Sequence, residues 1–252
     1  MNKQEALYNY TLRLADDTLI IGHRVSEWCG KGPILEEDIA LTNISLDLIG
    51  QATLLFEYLA EFNEDGKSSD DIAFIRHANE YKNVLLCEQP NGDFGQTIVR
   101  QFLYSSFAQI FYRELMKSKD AKLAAIAEKS LKEVKYHVKH SAEWIIRLGD
   151  GTEESHKRVE ESIDYLWKYK NELFFTDEVD TLMIAEGIAP DMKEFENEYN
   201  TFINHILSEA TLEIPTHGWE QKGGRTGVHT EHLGFILAEL QYMQRAYPNM
   251  EW

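Results

Sequence analysis

Paired acids and histidines at helical spacing are the residues of this sequence best suited to chemistry. Glu133 and His137 stand four apart, so on a helix they share one face. Asp16, Asp17 and Asp47 lie in equally periodic stretches. Carboxylates and an imidazole converging from several helices could bridge a pair of iron ions. A carboxylate-bridged di-iron centre takes a Glu from each of two helices and a Glu-x-x-His pair from each of two others. Here the set falls short. Position 50, three beyond Asp47, is Gly50, followed by Gln51, and the residue three beyond Glu133 is Tyr136. The usable ligands are Asp16 or Asp17, Asp47, Glu133 and His137, which read as remnants of a degenerate site holding no metal. Buried acids of that kind need hydrogen bonds or a neighbouring Lys or Arg instead.

Other constellations are weaker still. His137 with His140, or His229 with His232, could each supply half of a zinc site, but neither has a defined third ligand. His229, Glu231 and His232 read more simply as hydrogen-bonding groups at a loop-to-helix junction. Gly223-Gly224-Arg225-Thr226-Gly227 lacks the Gly-Lys-Ser/Thr ending of a phosphate loop. No Gly-x-Ser-x-Gly occurs, and neither Cys29 nor Cys87 has an activating pattern nearby. No catalytic or cofactor-binding residue is therefore assigned.

The elements that must position these residues are helices. Leu41, Ile44, Leu48, Ala52, Leu55, Leu59 and Phe62 recur in steps of three and four. Helices are expected over 5–29 and 36–62, joined by Gly30-Lys31-Gly32-Pro33, and over 94–116 and 120–148, joined by Lys117-Ser118-Lys119. Connections this short make antiparallel hairpins. The pairing places Asp47 level with about residue 18, and Glu133 level with Ser105 and Ser106. A polar loop is expected over 63–69, with further helices over 70–77, 154–174, 178–186, 191–208 and 230–246. Phe102, Tyr104, Phe107, Phe111 and Tyr112, with Tyr165, Trp167, Tyr169, Phe174 and Phe175, read first as packing. The expected fold is all-α, a ferritin-like four-helix bundle with additional packed helices in a single domain over 1–252.

Composition narrows the partners. The net charge of −18, from 43 acids against 25 Lys and Arg, repels phosphate backbones and anionic lipid. Nucleic acid and membrane are not expected as partners, and no 18-residue window is free of charge. Two cysteines make no disulfide framework. A cytoplasmic setting follows as the expectation.

Four stretches carry a resemblance: LRLADD with EWCGKGPILEEDIALTNISLDLIGQA in 12–52, EQPNGDFGQTIVRQF in 88–102, KEVKYHVKHSAEWIIRLGDGT in 132–152 and GGRTGVHTEHLGFILAELQYMQRAYP in 223–248. They resemble the structural, non-catalytic subunits of bacterial 1,2-phenylacetyl-CoA epoxidases, multicomponent di-iron monooxygenases. The resemblance implies a ferritin-like scaffold without a metal of its own. It implies, as partners, a catalytic di-iron subunit and further components including a reductase, acting in aerobic phenylacetate degradation. Two other readings stand beside it. One is a divergent metal-dependent oxygenase using Asp47, Glu133 and His137. The other is a module that presents CoA, with Lys222 and Arg225 as anion contacts.

Overall fold

The structure, a computed structural model, describes residues 1–62, 66–216, 218–248 and 250. Residues 63–65 of the expected polar loop lie outside the described residues. In chain order the α-helices are α1 (Lys3–Ser26), α2 (Leu35–Glu61), α3 (Ser69–Phe74), α4 (Leu85–Glu88), α5 (Phe94–Leu115), α6 (Ala121–Gly149), α7 (Glu153–Trp167), α8 (Glu178–Ala185), α9 (Glu196–Glu209), α10 (Glu231–Leu240) and α11 (Tyr242–Ala246). The described residues form no strand. The fold is all-α, and contacts group it into two compact units, Met1–Gln89 with Lys222–Trp252, and Pro90–Gln221.

The first unit is built on the α1/α2 hairpin. Asn2 caps α1 by accepting the Glu5 amide at 2.8 Å, which satisfies a donor the helix itself leaves unpaired. Leu19, Ile20 and Val25 of α1 and Leu41, Ile44, Leu48, Leu55 and Leu59 of α2 are buried. Ser45 Oγ donates to the Gly22 carbonyl at 3.0 Å, locking the hairpin register. By length and composition α2 could cross a membrane, with mean hydropathy 1.4 in its most apolar window, but half of that window is already buried within the fold. Asp47 on α2 is half-buried. The Ser45–Gly22 contact places it about a turn beyond the level of Asp16 and Asp17.

The second unit is built on the α5/α6 hairpin. Asp93 caps α5, accepting the Gln96 amide at 2.9 Å. Nearly all of α5 is buried, because α6, α7 and α9 pack around it. The α5 aromatics do the packing expected of them: Phe107 meets Phe174 edge to face at 5.3 Å, and Phe174 meets Tyr199 at 5.2 Å. Tyr199 donates its hydroxyl to the Leu103 carbonyl at 3.2 Å, and burial pushes that hydroxyl's pKa well above its usual value. The expected register of this hairpin needs correction. Ser105 Oγ lies 3.4 Å from Ser141 Oγ, about two turns along α6 from Glu133.

Three expected helices are interrupted: the stretch 191–208 opens as a 3₁₀ turn, Met192–Glu194, and is α-helical only from Glu196. The stretch 154–174 leaves α-helical geometry after Trp167, and Lys170–Phe174 tightens into a 3₁₀ turn. There Lys170 is buried, its Nζ donating to Asn200 Oδ1 at 2.8 Å and lying over the Trp167 ring. The final helix breaks at Gln241, whose amide turns inward to the Arg76 carbonyl at 2.7 Å.

Gly149, at the end of α6, leaves no room for a side chain. A Cβ there would stand 2.4 Å from the Ala210 carbonyl oxygen and 2.9 Å from its Cβ. Gly149→Ala should therefore lower the stability of the protein by about 1–3 kcal/mol, as overpacking does. Urea denaturation followed by circular dichroism checks it, and an unchanged midpoint would show that the α6–α9 contact yields freely.

Candidate functional site

The chemistry-bearing side chains of the first unit gather where residues 222–248 lie against the N-terminal hairpin. Three fully or almost fully buried carboxylates, Asp16, Asp17 and Glu88, form its centre. α1 supplies the adjacent pair Asp16 and Asp17, and α4 ends on Glu88. Each is satisfied by donors from distant parts of the sequence.

Asp16 receives both terminal nitrogens of Arg76, one at 2.9 Å, and the Lys82 amide at 2.8 Å. The Arg76 guanidinium also stacks over the Tyr81 ring, 4.0 Å from its centroid. Burial pushes the Tyr81 hydroxyl up to about 12. That hydroxyl therefore stays protonated, donating to the Ala73 carbonyl at 2.6 Å and accepting from Gln241 at 3.0 Å.

Asp17 takes a forked pair from Arg225, at 3.0 and 2.7 Å, and the Val84 amide at 2.8 Å. Burial, reinforced by the Asp16 charge, pushes its carboxyl up, against the pull of Arg225 and Val84. Arg225 continues to the Lys82 carbonyl at 2.8 Å. The glycine before it makes this approach possible, because a Cβ on Gly224 would stand 2.0 Å from the Asn83 carbonyl oxygen.

Glu88 is the most fully engaged. One oxygen meets His229 Nδ1 at 2.8 Å and Asn83 Nδ2 at 2.9 Å; the other accepts the Thr230 amide at 2.6 Å and its hydroxyl at 2.7 Å. The second ring nitrogen of His229 faces the Tyr81 carbonyl at 2.9 Å. A carbonyl and an ionised carboxylate both only accept, so the geometry suits the doubly protonated imidazolium form of His229. Burial opposes that charge, but Glu88 and the Tyr81 carbonyl outweigh it and raise the pKa above 6.5. Arg24 closes the back of the site, donating to the Glu88 carbonyl at 3.1 and 3.0 Å and to the His232 carbonyl at 3.3 Å.

This arrangement holds distant chain segments together. The oxygens of Asp16, Asp17 and Glu88 are occupied by arginine, amide, imidazole and hydroxyl donors, so these carboxylates do not suit metal ligation. Among the described residues no three of His, Cys, Asp and Glu gather as a metal-ligating group. Asp16 and Asp47 belong to the first unit, Glu133 and His137 to the second. Glu133 is half-buried, whereas His137 and His140 are buried, the latter beside the Tyr136 ring at 5.9 Å. Asp16, with both its oxygens taken by Arg76 and the Lys82 amide, does not fit as an iron ligand. Arg225 is also committed to Asp17, which removes it as an anion contact; Lys222 remains exposed. At the helix junction His229 does hydrogen-bond as expected, while Glu231 faces solvent.

Sequence reasoning missed Arg76, Glu88 and Gln241. No spacing rule joins Glu88 to His229 across 141 residues, and Glu88 sits in a stretch that reads as a loop because of Pro90, Asn91 and Gly92.

Two long antiparallel helical hairpins, with short helices packed on them and acids buried on the first, place the protein in the ferritin-like helical class. The chain belongs to the phenylacetic acid catabolic protein family, whose model matches residues 1–252. It is 43% identical over 243 residues to one of the subunits of the 1,2-phenylacetyl-CoA epoxidase of Escherichia coli (strain K12), and the match covers 96% of this chain and 98% of that relative.

The Glu88–His229 pair gives stability a pH signature. Because folding raises the pKa of His229 above 6.5, its contribution is complete below that value and is lost as pH rises through the folded pKa. His229→Gln should be less stable than the wild type at pH 6, with the gap narrowing toward pH 9. Urea midpoints across that range check it, and a constant gap would contradict the imidazolium assignment.

Proposed function

We propose that this chain is the structural, non-catalytic subunit of a phenylacetyl-CoA epoxidase complex. It would support a separate catalytic relative that holds the di-iron centre, in aerobic phenylacetate degradation in the cytoplasm. The observation that carries this reading is the pairing of the buried acids on α1 with Arg76 and Arg225. On this proposal Arg76 and Arg225 occupy acids that a metal-binding chain would keep open. The family assignment and the 43% identity to part of such an epoxidase support the same reading.

On this proposal the chain retains its long hairpins for the surfaces they present to other proteins. Partners would be the di-iron subunit and further components including a reductase. The net charge of −18 favours a basic component among them and disfavours nucleic acid and anionic membranes.

The test is reconstitution. With reductase, NADPH and phenylacetyl-CoA, the chain alone should give no epoxide. Adding the catalytic relative should give both turnover and a hetero-oligomer on a sizing column. Asp47→Asn in the reconstituted complex should leave turnover per folded complex within about twofold, far from the roughly 10²-fold or greater losses that follow removal of a catalytic group. Turnover by this chain alone, or full turnover by the catalytic relative without it, would overturn the proposal.

A further inference from the structure

Helix α2 carries a row of apolar residues and threonines that stays open to solvent. Leu35, Ile39, Thr42, Leu46, Ile49 and Thr53 follow one another in steps of four and three, the repeat that keeps side chains in line along one face of a helix. Leu35, Ile39 and Leu46 are 72%, 52% and 63% exposed, Thr53 is exposed, and Thr42 and Ile49 are half-buried. The opposite side of the helix is sealed by Leu41, Ile44, Leu48, Leu55 and Leu59. α2 is therefore apolar on both sides, and helices of that kind are ordinarily buried all round. The row runs for about 27 Å at the helical rise. Single exposed leucines are ordinary on a protein surface, but a continuous row of this length marks an interaction face.

The charges beside the row decide what covers it. From Leu35 to Glu61 the sequence has no Lys, Arg or His, and every charged residue is an acid. Glu36 and Glu57 are exposed and stand three heptads apart on one edge of the row, with the exposed Asn43 between them on the same edge. In an antiparallel pair of such helices centred on Leu46, Glu36 of one copy would lie beside Glu57 of the other, acid against acid. The net charge of −18 on each copy adds to that repulsion, and it repels an anionic membrane in the same way. A helix with apolar residues at the same steps and Lys or Arg beside them meets both demands: it buries the row and pairs the acids.

We infer that the outer face of α2 docks a basic amphipathic helix of another component of the complex, with Leu46 at the centre of the contact. Apolar residues of that helix cover Leu35, Ile39, Leu46 and Ile49, and its Lys or Arg side chains lie along the Glu36–Glu57 edge. The inference rests on the scaffold reading and deepens it, naming the surface by which the chain is held and the chemistry of what holds it.

The probe is the remainder of the complex, purified without this chain, and calorimetry follows its association with the full chain at low and high salt. Leu46→Glu should weaken association at least about 30-fold, the loss expected of a central contact residue. Its circular dichroism and urea midpoint should stay native, because the side chain is exposed. Asn43→Lys should weaken association about 3- to 10-fold at low salt and much less at high salt, whereas Asn43→Glu should bind at least as tightly as the unaltered chain. Failure of the unaltered chain to associate would overturn the scaffold reading together with this inference. Association of the unaltered chain, with undiminished binding by Leu46→Glu or equal effects of Asn43→Lys and Asn43→Glu, would overturn the inference alone. So would a dimer of the isolated chain that Leu46→Glu abolishes, or partition of the isolated chain into phosphatidylcholine vesicles.

Discussion

A carboxylate sealed from water must be met by donors that cannot drift away, and the first unit is organised by that requirement. Glu88 is entirely buried, and each of its oxygens receives two hydrogen bonds. Those donors come from Asn83, His229 and Thr230, so the acid ties the short helix α4 to the segment that leads into α10. Asp17 repeats the logic with Arg225, and Asp16 with Arg76. Removing one partner of such a pair leaves an uncompensated charge and costs about 3–5 kcal/mol. The C-terminal segment is held both by these pairs and by α10, which contributes Leu233, Ile236 and Leu237 to the core while Phe235 remains exposed.

The same matching bears on function. Carboxylates on facing helices are the raw material of a metal centre in this fold class, and their availability depends on what else reaches them. A forked arginine on Asp17, and another on Asp16, occupy the lone pairs that a metal would need. On the proposed reading the chain has exchanged ligation for internal cross-bracing. The α1/α2 and α5/α6 hairpins remain, as does an apolar stripe on α2 in which Leu35, Ile39 and Leu46 stay exposed.

Much of this was legible in the sequence. Apolar steps of three and four from Leu41 to Phe62 mark α2 in full, because helix burial repeats with the helical turn. The Gly30-Lys31-Gly32-Pro33 break and the Lys117-Ser118-Lys119 link mark the two hairpins. The shortfall of ligands around Asp47 and Glu133 was also visible as residue types. The register was not. Short connections set the direction of a hairpin, but the level at which side chains meet depends on how the ridges of the two helices interlock. Ser105 accordingly faces Ser141, not Glu133. The cross-braces were illegible for a different reason. The partners of Asp16, Asp17 and Glu88 lie 60, 208 and 141 residues away in sequence, and nothing local distinguishes Arg76 or Arg225 from a surface arginine. The breaks at Trp167 and Gln241 lie beside buried polar side chains, Lys170 and Gln241; both continue the apolar steps of their helices, from Val159, Ile163 and Leu166 and from Leu233 and Leu237, but their residue types do not announce burial.

The central claim, that the buried acids of this chain brace the fold and do not hold iron, is most directly tested by metal content. The purified full chain would be loaded anaerobically with ferrous iron, desalted, exposed to air and analysed for iron by mass spectrometry alongside its absorption spectrum. The account predicts well under one iron per chain and no oxo-bridged ferric band. Two irons per chain, with that band present, would contradict it.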